Sequence, residues 1–157
     1  MPKYPYLLMA LGVTLALLSS CQQPQQESYD TEWLGETKQK MITNIEEQFQ
    51  GFSRTMMETS HRYMELYWAG TDQNWEYAEY QREHIAEALE QGLVRRPEHE
   101  LSAQQFITAT LPEMKQAIAS YDLPTFMAAF TQLTHTCNTC HQMEDLPFLT
   151  VAIPKNR

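Results

Sequence analysis

The sequence predicts an all-α chain, folded as an antiparallel up-down-up-down four-helix bundle. Three observations carry that expectation. Glycine is scarce, with five in 157 residues, while methionine and aromatics are plentiful and long stretches hold no proline. Apolar residues recur every three to four positions over four separate segments. The connections between those segments are short, which makes successive helices run antiparallel. A chain of this length suits one domain with a real core.

The N-terminal segment stands apart from the bundle. Lys3 gives a positive start, Leu7 to Leu18 is a short apolar run, and Leu18-Ser19-Ser20-Cys21 closes it with small residues before a cysteine. Those are the proportions of a secretory signal rather than of a membrane span. The four closing residues resemble a bacterial lipoprotein box. That resemblance implies cleavage after residue 20 and lipidation of Cys21, with Gln22 in the context that lets such proteins reach the outer membrane. Residues 21–30 then read as the lipidated cysteine and a polar tether reaching about 15–20 Å on random-coil scaling, and the domain occupies 31–157.

The first helical segment runs from Thr31 to Ala69, with Ile42, Ile45, Phe49, Phe52, Met56, Tyr63 and Tyr67 on its stripe and a possible bend at Gly51. Ala69 to Asn74 is a turn. Trp75, Ala78, Ile85, Ala88 and Leu89 make a second amphipathic helix that stops by Gly92-Leu93-Val94-Arg95-Arg96-Pro97. Ser102 and Gln105 resemble a capping box opening a third helix, with the stripe Ile107, Leu111, Met114, Ile118, Tyr121; because the stripe continues through Pro112, a kink is expected there rather than a break. Asp122 caps the fourth, Pro124 sits in its first turn, and Phe126, Phe130, Leu133, Cys137 and His141 share one face until Pro147. Pro147 to Pro154 is an apolar tail expected to return over one end of the bundle.

Removing residues 1–20 takes away Lys3 and no acid, leaving 10 basic and 20 acidic side chains. So acidic a surface argues against nucleic acid and against adsorption to anionic lipid, and it favours redox partner proteins with a basic docking patch. Homodimerisation is left open. No phosphate loop, internal repeat or hydrolytic triad order is present, so an electron carrier is expected rather than an enzyme.

Residues 135–142 read His-Thr-Cys-Asn-Thr-Cys-His-Gln. A thioredoxin-type pair wants a strand-to-helix setting, a closed zinc site wants a second pair of ligands, and a disulfide between neighbours on one helix stabilises little. None of these uses the histidine. Cys-x-x-Cys-His as a c-type haem attachment uses all of it: Cys137 and Cys140 add their thiols across the porphyrin vinyls and His141 supplies the proximal nitrogen. Chance occurrence in a chain of this size is about one in a thousand. An export signal agrees, since such haem is attached outside the cytoplasm. One covalent haem c and a periplasm-facing location are therefore expected.

A helical chain with this motif in its last helix resembles the cytochrome c-prime superfamily, the class II c-type cytochromes. It also resembles a set of small exported haem proteins with segments like His61 to Tyr80 and C-termini like Leu133 to Pro154. The resemblance spans roughly Met56 to Pro154. It implies membrane-anchored, single-haem electron transfer, with a five-coordinate protein binding NO or CO as the alternative. His135, Thr136, Asn138 and Thr139 flank the cysteines where c-prime proteins usually carry a basic residue, and this departure counts against their gas-binding behaviour. Met57, His61 and Met64 lie on one helical stripe, and His61 also matches the resembling set, so it is the expected sixth ligand, with Met57 and Met64 as alternatives. Met41, Met114 and Met127 read as core filler, Trp68 and Trp75 with their neighbouring tyrosines as core, and His84, His99 and His135 as surface.

Overall fold

Helix boundaries follow the local chemistry of a few residues. In the computed structural model, which describes residues 32–155, every regular element is helical. The signal segment, Cys21 and the tether lie outside the described residues. The chain divides into two units, one ending at Ile45 and one beginning at Glu46.

In the first unit a 3₁₀ turn, Glu32–Leu34, precedes the start of helix α1, Lys38–Phe49, whose last four residues belong to the second unit. The Trp33 carbonyl accepts a hydrogen bond from Asn44 Nδ2 at 2.6 Å. Met41, Ile42 and Ile45 are exposed, so Met41 is not core filler.

The long first helix expected from Thr31 to Ala69 is two helices. Gln50 takes a left-handed φ of 57°, and Gly51 is extended as the N-cap of α2, Phe52–Thr71. A left-handed residue ends the hydrogen-bond ladder, and glycine has the least resistance to the turn that follows. Gln73, also left-handed, makes the next turn, and Asn74 accepts from Tyr77 N at 3.2 Å to cap α3, Trp75–Arg95.

A 3₁₀ turn at Pro97–His99 leads into α4, Glu100–Gln105, a π-helical turn, Phe106–Thr110, and α5, Leu111–Ala119. The kink expected at Pro112 takes the form of that π turn. Proline has no N–H to offer the carbonyl one turn back, so the ladder widens ahead of it. Ser102 is not a cap; it lies inside α4, with its hydroxyl oxygen 2.9 Å from His99 O. Asp122 accepts from Thr125 N at 2.9 Å and from its hydroxyl at 2.6 Å, opening α6, Leu123–Met143. Those two bonds hold the Asp122 carboxyl below its ordinary pKa. Leu146 N bonds His141 O at 2.8 Å with Asp145 left-handed, which closes α6 before Pro147.

In the second unit α2 packs on α3, α3 on α5, α5 on α6, and α6 back on α2. Leu66, Ile85, Met114, Phe126, Phe130 and Leu133 are fully buried at the centre. The helices approach closely where side chains are missing. A Cβ on Gly70 would overlap the Phe126 ring, and one on Gly92 would sit 2.6 Å from Thr55 Oγ1 and 2.9 Å from Phe52 Cε2. These glycines are needed for packing, not for their backbone angles. Tyr63 is buried and Tyr67, Trp75 and Met127 pack at the edge of the core, whereas Tyr77, Tyr80 and Tyr121 are exposed. Among the described residues no helix is long and apolar enough to cross a membrane.

Candidate functional site

Helical periodicity places Cys137, Cys140 and His141 on one side of α6, at i, i+3 and i+4. All three line one recess of ≈40 Å³ together with Phe52, Met56 and Thr59 of α2, Leu89 of α3, and Ala103 and Phe106. Two wider clefts share parts of this wall. One, ≈660 Å³, lies between Phe52, Met56, Met57, His99, Cys140, His141 and Leu149. The other, ≈380 Å³, lies between Met56, Thr59, Tyr63, Cys137, His141 and Val151. Both volumes are in the range of small-molecule and cofactor sites, about 300–1,000 Å³.

The two cysteines are not joined to each other. Burial, and secondarily the neighbouring Cys140, pushes the Cys137 thiol up to about 12. Burial also raises Cys140, and the nearby Ser102 hydroxyl acts in the other direction. A reactive dithiol needs a stabilised thiolate, and this setting disfavours one. It suits sulfur in a neutral form. Among the described residues, no three His, Cys, Asp or Glu side chains come together to hold a bare metal ion.

His141 is oriented by the tail that follows it. Its Nδ1 lies 2.6 Å from the Leu149 carbonyl oxygen. A carbonyl can only accept, so Nδ1 carries the proton and Nε2 keeps a free lone pair. This is the hydrogen-bond arrangement that metal-ligating histidines usually have on their other nitrogen.

The tail itself is anchored at several points. Asn138 Nδ2 donates to Val151 O at 2.9 Å, and Val151 N donates to Asn138 Oδ1 at 2.8 Å. Thr134 donates to Phe130 O at 2.8 Å, so the 2.8 Å contact between Thr134 and the Tyr63 hydroxyl has Tyr63 as donor, and its 3.3 Å approach to Ala152 O is the weaker branch. Burial raises the Tyr63 pKa, with the Thr134 bond opposing it. Val151 and Ile153 pack against the core. The expected return of the apolar tail is therefore a strap along the cysteine-bearing end of α6.

The structure does not bring His61 to this wall. It is exposed and lines none of the three clefts. Met57 reaches only the widest cleft and is 64% exposed, and Met64 is 44% exposed and lines none of them. Met56 lines all three beside His141. The signal for it was in the sequence, because Met56 belongs to the inward stripe Phe52, Met56, Tyr63, Tyr67, while Met57 and Met64 lie on a neighbouring, outward stripe.

His99 was also read as a surface residue and is not one. It is half-buried, stacks on Phe52 at 4.5 Å between ring centroids, and pairs with Glu144 at 2.6 Å at the edge of the widest cleft. Ser102 also donates to Glu144, and these two partners, the serine first, lower the Glu144 pKa. His135 is exposed and His84 half-buried, its Nδ1 2.8 Å from Tyr80 O.

One buried polar atom on the cleft wall lacks a partner. The Thr59 hydroxyl is buried and makes no hydrogen bond, although it lines both the recess and the cleft beside Cys137. Such a group costs about 1–3 kcal/mol if left so, and it marks where a bound group would find a donor. Two thiols, one histidine nitrogen with a free lone pair, an apolar wall and an orphaned hydroxyl together fit a covalently held haem. Compared with known proteins, the chain matches no protein-family model, no curated protein and no solved structure.

Proposed function

We propose that this chain is a single-haem c-type cytochrome of antiparallel up-down-up-down four-helix-bundle form, and that it carries electrons rather than turning over a substrate. The observation that carries the proposal is the shared wall: both cysteines and a histidine with its Nε2 lone pair free line one recess. Cys137 and Cys140 would hold the porphyrin by thioether bonds, His141 Nε2 would ligate its iron, and Met56 brings a sulfur of α2 to the same wall. Bound, the group would supply a one-electron couple that no side chain of the site provides. The protein's part is to keep water off one face with Phe52, Leu89 and Phe106 and to hold His141 in a single orientation. Iron held by two protein side chains would suit electron transfer better than gas binding, and the sulfur of Met56 on the cleft wall favours that reading. The acidic surface fits a redox partner with a basic docking patch.

Matured protein is expected to keep its haem through denaturation and acid-acetone extraction, with one haem per chain by mass. Release of the haem into the solvent would overturn the proposal.

We further propose that Cys21 is lipidated and holds the protein on a membrane facing the periplasm, in the outer membrane. Acyl chains contribute about 0.8 kcal/mol per buried CH₂, so several together anchor firmly. Cys21→Ser is expected to move the protein from the membrane fraction to the soluble fraction. Unchanged fractionation would sink the idea.

A further inference from the structure

We propose that Asn138, one of the two residues between the motif cysteines, is a positioning residue for His141 that acts through the C-terminal strap. The proposal rests on the haem reading above and deepens it, because it identifies what fixes the proximal nitrogen. Asn138 stands one turn before His141 on α6. Its side-chain amide takes hold of Val151 by both backbone groups, at 2.9 and 2.8 Å, as one residue of a β-ladder would hold another. The same Nδ2 also reaches Thr134 O at 3.0 Å, which sets the rotamer of the amide from its own helix.

Val151 is thereby pinned two residues beyond Leu149, and the Leu149 carbonyl meets His141 Nδ1 at 2.6 Å. The chain is held from the other side by Leu146 N on His141 O at 2.8 Å. Between those two anchors four residues span a fixed gap, and the carbonyl has little freedom to leave the ring. Apolar burial alone would not do this. Phe148 and Leu149 are exposed at 74% and 46%, so hydrogen bonds rather than burial locate the carbonyl: the anchors at each end and a turn in which Leu149 N donates to Leu146 O at 3.0 Å. The result is one tautomer, with Nε2 left as the only ligating nitrogen.

Asn138→Leu keeps much of the volume and removes all three hydrogen bonds. Asn138→Asp keeps the acceptor for Val151 N and loses both donations. Three quantities are read in each full-length variant as purified: amide exchange at Val151, the ¹⁵N signature of the His141 tautomer, and, where haem is present, the reduction potential. Val151 protection should fall by about tenfold to a hundredfold in the Leu variant and less in the Asp variant, following the loss of hydrogen bonds. The His141 ring should lose its single Nδ1–H form, and the potential should rise as the ligand becomes a weaker donor. If Val151 protection does not move, or if it falls while the tautomer and potential stay as in the wild type, the positioning role is wrong. A wild-type chain without covalent haem overturns the cytochrome reading instead, and the exchange and tautomer measurements still decide whether Asn138 governs His141.

Discussion

Met56→Ala is expected to convert a low-spin haem spectrum into a high-spin one that binds carbon monoxide, and to lower the reduction potential. His61→Ala is expected to change neither. The asymmetry comes from where α2 turns its residues. Met56 lines the recess with Cys137, Cys140 and His141 and packs against the core. His61 is exposed and lines none of the clefts there. Thioether ligation favours the ferrous state, so its loss moves the potential down. Met56→Leu separates ligation from packing: it fills similar space without sulfur, so it should share the spectral change of the alanine variant while keeping nearly the wild-type melting temperature. A low-spin spectrum that survives Met56→Ala and disappears in His61→Ala would restore His61 as the ligand. A wild type that is already high-spin would hand the site to gas binding.

Phe130→Ala should destabilise the fold by about 3–5 kcal/mol, the range for deleting a fully buried aromatic ring. Phe130 has no exposed surface and lies 4.7 Å from Tyr63, 5.1 Å from Tyr67 and 5.9 Å from Phe126, measured between ring centroids. Tyr63 and Tyr67 stand on α2 and Phe126 on α6 itself, so the cavity cannot close without moving α2 against α6. Against a total stability of about 5–15 kcal/mol the loss is large. The melting temperature should fall by on the order of 10–20 °C. Because Tyr63 lines the cleft beside Cys137, the variant should also lose its native haem spectrum at a lower temperature while the haem stays covalently attached. Phe148→Ala is the control: the same residue type, 74% exposed on the strap, should change stability by less than about 0.5 kcal/mol. Equal melting temperatures for the two variants would contradict the core described above.

The all-helical class, the ends of α3 and α6, and the inward faces of α5 and α6 were legible in the sequence. They depend on periodicity and capping, both local. Asn74 and Asp122 accept from an amide three residues on, and the stripe Phe126, Phe130, Leu133 is buried as its spacing requires. The grouping of Cys137, Cys140 and His141 was legible for the same reason, since residues three and four apart on one helix share a face.

The misreadings have a common form. Met57, His61 and Met64 make as regular a stripe as Phe52, Met56 and Tyr63, and spacing alone cannot say which of two adjacent stripes faces the other helices. That choice is made by packing: Gly92 lets α3 approach Phe52 and Thr55, and Gly70 receives the Phe126 ring, and these two contacts fix the rotation of α2. The split at Gln50 and Gly51 also escaped periodicity, which continues across it.

What the sequence by itself determined is the helical class, the apolar faces of α3, α5 and α6 and the placement of two thiols and an imidazole on the last of them, because each depends on interactions within about four residues. Only the tertiary structure decided which sulfur of α2 shares their wall, that His99 closes one edge, and that Leu149 sets the His141 tautomer. The His141–Leu149 and His99–Glu144 contacts join residues 8 and 45 positions apart in the chain, and a one-dimensional pattern carries no information about which distant groups the packing of side chains will bring within 3 Å.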